Sequence, residues 1–171
     1  MRLRAEYLWE NGDYDQIHFN FTNGHKVEYT EWMKGNRMNI KGNKTWWTKR
    51  AEPSNTYDDF WEYMELIFMY AGTASLEKEL MLIDIDEAEI GDVLIKGGFP
   101  GHAVIIVDKA IKETSGESIY LIAQSYMPAQ EIHVLKNFGH ADIRPWYRFD
   151  EGEIFTPEWG FLSDNLKRFP D

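Results

Sequence analysis

Cysteine is absent from all 171 residues. The chain as given therefore holds no disulfide framework, no thiolate metal site and no thiol nucleophile. Cationic residues are few beside acidic ones, 18 Lys and Arg against 29 Asp and Glu, for a net charge of −11. Phosphate backbones are bound by clustered cations that displace counterions, so this balance argues against DNA and RNA as partners. No apolar run approaches the roughly 20 residues of a membrane-spanning helix, and the opening Met1-Arg2-Leu3-Arg4 lacks the apolar stretch of a secretory signal. Five histidines without a recurring short spacing argue against a zinc site. The acidic run Asp84, Asp86, Glu87, Glu89 departs from calcium-loop spacing, so no metal and no cofactor is expected.

Aromatic residues, by contrast, make up 15% of the chain, including seven Trp and nine Tyr. Such a stock suits a stacking groove and a thick core equally well. The length fits one domain over residues 1–171, with no repeat or low-complexity segment to mark a boundary. Arg2 to Glu10 reads as a helix ending at Asn11-Gly12, and it opens without a cap residue. That opening suggests a chain shortened at its N-terminus. Ile17 to Phe21, turned by Asn23-Gly24 into Lys26 to Tyr29, predicts a hairpin. Thr30 is expected to cap a short helix over 31–34, and Gly35 to Arg50, bearing Trp46 and Trp47, reads as a long ordered loop.

Ser54 or Asn55 is expected to cap the strongest helix, Tyr57 to Tyr70, with Phe60, Met64, Ile67 and Phe68 inward and Asp58, Asp59, Glu62 and Glu65 largely opposite. Ser75 is a candidate cap for a helix over 76–80. Ile119 to Gln124 and Glu131 to Leu135, separated by Ser125-Tyr126-Met127-Pro128, complete a three- or four-stranded antiparallel meander, and the tail from Asn137 reads as irregular.

The most informative stretch is Gly91-Asp92 through Asp108. Val93 to Ile95 and Val104 to Val107 read as short buried strands, joined by a turn containing Gly97, Gly98, Pro100 and Gly101. His102 then stands at the mouth of a hairpin, where an imidazole can exchange protons with a substrate or a nucleophile. A histidine after glycine at a strand start is equally the signature of a capped surface residue. His18 is expected to face solvent or a loop, His25 and His140 read as loop residues, and His133 faces opposite to Ile132 and Val134. Ser125 lies in no Gly-x-Ser-x-Gly elbow, which argues against a serine hydrolase. Trp46, Trp47, Trp146 and Trp159 are candidates to line a groove, or to pin their loops to the core.

Gly91-Asp92 on one strand, Gly101-His102 before an apolar run, and a polar residue closing the next strand together resemble the NlpC-type and CHAP-type branch of papain-like cysteine peptidases and amidases. That resemblance implies His102 as general base and Gln124 as the residue that orients its ring. Ser125 and Tyr126 rank behind Gln124 in that role and stand with Trp46 and Trp47 as substrate-binding candidates.

Longer words, Arg2-Leu3-Arg4-Ala5-Glu6-Tyr7, His18 to Gly24, Tyr70-Ala71-Gly72-Thr73, Gly97 to Val107 and Ala123 to His133, make the whole chain similar to a bacterial family collected as domain of unknown function 4846. That likeness implies a Cys-Ala-Asp-Ala stretch just ahead of the Arg2 helix, where the helix dipole would favour a thiolate. It also implies an envelope or secreted location.

The expectation is thus an α+β domain, an antiparallel sheet of four to six strands with helices on one side, in a papain-like topology. Its function would be the core of a thiol amidase or peptidase acting on peptide or glycan-peptide, with the opening helix aimed at His102 and the nucleophile missing from this chain. The alternative is a glycan- or protein-binding domain, or a pseudoenzyme, that reuses the same fold.

Overall fold

The computed structural model describes residues 1–126, 128, 130–149 and 152–170. Met127 and Ala129, in the expected interruption after Gln124, lie outside them. The chain is mixed α/β with antiparallel sheets, and it falls into two compact units, 1–79 and 80–170.

The first unit opens with α1 (Arg2–Asn11), which ends as expected on Gly12 in the left-handed conformation at φ 79°. Strands β1 (His18–Asn20) and β2 (Lys26–Glu28) form the expected hairpin, with Phe19 opposite Val27. The short helix α2 (Tyr29–Met33) begins earlier than expected. Glu28, not Thr30, is its N-cap, because Tyr29 and Trp32 are the residues that find burial.

The segment expected as a loop is instead a second hairpin, β3 (Asn36–Lys41) and β4 (Lys44–Lys49), paired through every residue from Asn36↔Lys49 to Lys41↔Lys44. Its turn needs positive φ, which Gly42 supplies at 58°. Polar strands with no clean alternation hide this pairing from a reading based on hydrophobic period.

Helix α3 (Tyr57–Tyr70) is capped by Thr56, whose hydroxyl accepts the Asp59 N–H, and not by Ser54 or Asn55. Its buried stripe is Phe60, Tyr63, Met64 and Ile67, spaced i, i+3, i+4, i+7, while Phe68 is 43% exposed. Asp59 turns inward because the Arg37 guanidinium meets it at 2.5 Å. Helix α4 (Thr73–Glu79) starts before Ser75, whose hydroxyl bonds back to Gly72 from inside the helix. The core is an aromatic lattice: Tyr29 packs on Phe60 and Tyr63, and Tyr63 on Trp32. His18, expected to face solvent or a loop, is half-buried beside the Gln16 backbone. Its Nδ1 is buried with no described hydrogen-bond partner, and burial, helped by the Lys26 charge, lowers its pKa.

The second unit is a six-stranded antiparallel sheet in the order β5-β12-β6-β7-β8-β9. Its strands are β5 (Met81–Leu82), β6 (Val93–Lys96), β7 (His102–Ile111), β8 (Ser118–Gln124), β9 (His133–Val134) and β12 (Leu166–Arg168). The expected meander is its β6 to β9 half. The tail holds no helix or strand over 137–149, as expected, but it is regular from Glu153 on. It forms a further hairpin, β10 (Glu153–Phe155) with β11 (Gly160–Leu162), and then inserts β12 between β5 and β6. One face of the sheet carries the core: Leu94, Val104, Ile106, Tyr120, Ile122 and Leu166, against Tyr147, Phe149, Ile154 and Phe161.

Candidate functional site

The first residue of β7 is His102, opposite Lys96. Strand alternation puts His102, Val104 and Ile106 on the buried face and Ala103 and Ile105 on the other. The last residue of β8 is Gln124, and the register pairing Ile105 with Ala123 sets Gln124 across from Val104. That is the diagonal from His102, a distance long side chains bridge. The imidazole and the amide meet there, His102 Nε2 to Gln124 Oε1 at 2.6 Å, with the residues only 8% and 3% exposed. His102 is therefore not a capped surface residue. Among the described residues none is hydrogen-bonded to its Nδ1.

The other end of the amide is held as well. Gln124 Nε2 donates to Glu158 Oε2 at 2.8 Å. Glu158 rides on the turn from Thr156 to Trp159 that joins β10 to β11. Thr156 closes this turn by donating its N–H and its hydroxyl to the Trp159 carbonyl, both at 2.8 Å, while the same hydroxyl accepts the Trp159 N–H at 3.1 Å. That hairpin also supplies the rings beside the imidazole, Trp159 at 5.7 Å and Phe161 stacked at 6.0 Å. Tyr126 presents its edge to His102 at 5.4 Å. Nearby, burial and then the Glu158 charge push the Tyr147 phenol up to about 12, and its oxygen is buried with no described partner.

An imidazole so placed is held in rotation by one hydrogen bond and flanked by three aromatic rings. Of the candidates read from sequence, His102, Gln124 and Tyr126 come together here. Ser125 is exposed just beyond the end of β8. Trp46 and Trp47 belong to β4 of the first unit, paired with Asn39 and Met38, and as neighbours on a strand they face opposite sides. Trp46 is 46% exposed and contributes to a cleft of about 560 Å³ with Asn23, His25, Asn43, Lys44 and Thr45. His133 is exposed, its Nδ1 at 2.9 Å from the Glu131 carbonyl.

Asp92, which the Gly-Asp motif singled out, has a structural partner. It is 1% exposed and accepts two bonds from Arg168, at 2.7 and 2.8 Å, and a third from the Glu89 N–H at 2.7 Å. Sequence reasoning missed Glu158 and Phe161. No local spacing ties either of them to His102, and the hairpin that delivers them was read as irregular tail.

The chain matches the family described as Domain of unknown function (4846) over residues 1–168, and it belongs to that family. No curated protein and no solved structure matches it.

Proposed function

We propose, on the premise of a family that carries no assigned activity, that this chain holds the acid–base half of a papain-like thiol hydrolase acting on amide bonds. His102 is the general base, Gln124 orients its ring, and Ser125 and Tyr126 lie on the side open to substrate. The substrate class is peptide or glycan-peptide, as in a cell wall, which fits an envelope or secreted setting. One observation carries the reading: the 2.6 Å bond between the buried His102 imidazole and the Gln124 carbonyl oxygen. A neutral acceptor that locks a histidine without adding charge is the orienter of a nucleophile–base–orienter set. Support for an NlpC-type topology comes from the neighbouring antiparallel strands that bring the start of β7 to the end of β8.

This chain contains no cysteine, so the test adds one. Extended at its start by Cys-Ala-Asp-Ala, the protein should be labelled by a thiol-directed probe at neutral pH. His102→Ala should slow labelling by about 10²-fold or more, the usual contribution of a general base. Labelling no faster than that of a free thiol, or indifferent to His102→Ala, would sink the reading.

The half-exposed Trp46 and its amide-lined cleft favour a second reading, binding without catalysis. Glycan-array binding lost in Trp46→Ala and untouched by His102→Ala would support it. Absence of any glycan signal would count against it.

A further inference from the structure

We infer that Glu158 is a positioning residue that acts through Gln124 to hold neutral His102 as its Nε2–H tautomer, leaving Nδ1 as the atom that takes the proton. The inference rests on the reading of His102 as a base, and it specifies which nitrogen works and what decides it.

An amide side chain has an accepting end and a donating end that can exchange by rotation about its last bond. An ionised carboxylate can only accept. With Glu158 Oε2 at 2.8 Å, the end of Gln124 facing it must be the NH₂ group. The carbonyl oxygen is then the end that faces His102, at 2.6 Å from Nε2. An oxygen there requires a proton on Nε2, so in the neutral ring the lone pair falls on Nδ1, the nitrogen to which no described residue is hydrogen-bonded.

The flipped amide would reverse each step. Its NH₂ would demand a lone pair on Nε2, place the proton on Nδ1 and disable that atom as an acceptor. Once the ring took up a proton, the flipped amide would also set N–H against N–H. The carbonyl orientation suits both the neutral and the protonated ring, so nothing has to turn over during a proton-transfer cycle. Gln124 is 3% exposed, so water offers its amide little alternative partnership. The turn from Thr156 to Trp159, closed by three hydrogen bonds, fixes where the carboxylate stands.

Histidine-selective ¹⁵N labelling tests this without substrate or nucleophile, because a ring nitrogen bearing a lone pair resonates far downfield of one bearing a proton. At alkaline pH, with the His102 signals assigned by their loss in His102→Gln, the wild-type protein should show a bare Nδ1 and a protonated Nε2. In Glu158→Gln, residue 158 can present either a donor or an acceptor, so the Nδ1–H share should rise several-fold. Glu153→Gln, on the same hairpin, should change nothing.

A second variant guards against misfolding of the first. In Gln124→Glu combined with Glu158→Gln, the carboxylate at 124 can only accept, so the Nε2–H tautomer should return. A wild-type ring dominated by Nδ1–H, a folded Glu158→Gln with an unchanged spectrum, or a double variant that fails to restore Nε2–H would each overturn the inference. The stated tautomer in a protein that never hydrolyses an amide would instead retire the function proposed above and leave the role of Glu158 standing.

Discussion

Arg168 closes a bidentate ion pair on Asp92, joining β12 to the residue just before β6. The partner carboxylate is almost fully buried, so the guanidinium compensates a charge that would otherwise lie out of water. Asp92 in turn raises the Arg168 pKa further above its ordinary value. Arg168→Ala should destabilise the protein by about 3 kcal/mol, the scale for orphaning a buried charge. Denaturant unfolding reads this directly, and a loss below about 1 kcal/mol would show that water already satisfies Asp92.

Gly35 has a different reason to be glycine. It sits at φ 85°, and a Cβ there would lie 2.1 Å from the Ala51 carbonyl oxygen. Its own carbonyl accepts the N–H groups of Arg50 and Ala51, so the backbone has no slack to move away. Gly35→Ala should cost about 3 kcal/mol. Gly42→Ala, at positive φ but with open space around it, should cost only about 1 kcal/mol. Equal losses in thermal melts would refute the steric argument.

Glu79 gives the first unit a pH signature. Its Oε1 accepts the Asn20 N–H at 2.7 Å, yet burial dominates and raises its carboxyl above the ordinary 4.5. The folded chain thus holds this proton more tightly than the unfolded chain does. Stability from this group is full below pH 4.5 and is lost as pH climbs through the raised folded value. Glu79→Gln keeps a carbonyl for Asn20 and removes the titration. Urea midpoints from about pH 4 to about pH 7 should therefore fall less steeply in the variant, which should be the more stable protein at the neutral end.

Tyr63 is wholly buried and donates its hydroxyl to the Val27 carbonyl at 2.9 Å, tying α3 to β2. Tyr63→Phe keeps the ring packing and removes that hydrogen bond, at a cost of about 1–1.5 kcal/mol. Tyr7→Phe, on a side chain 66% exposed, should be silent in the same assay.

Much of this was legible from residue spacing. The α1 exit at Gly12, the α3 stripe and the β6–β7 hairpin follow from capping chemistry and hydrophobic period, which act within a few residues of the chain. His102 stands out locally, between a glycine-rich turn and an apolar run, whereas Gln124 is named only through the resemblance to papain-like peptidases. Phe68 was misplaced because the inward stripe of α3 drifts toward Tyr63, a choice made by the neighbours Tyr29 and Trp32 and not by the helix itself.

What the sequence determined by itself is the set of local elements, since propensity, turn glycines and alternation need no distant partner. It also determined the chemical limits: an acidic chain without a thiol. Tertiary structure alone decided that β12 enters between β5 and β6, that Arg168 finds Asp92, and that Glu158 reaches Gln124. Those pairings join residues far apart along the chain. Their partners are selected by the burial and hydrogen-bond satisfaction of the completed sheet, which no local pattern encodes.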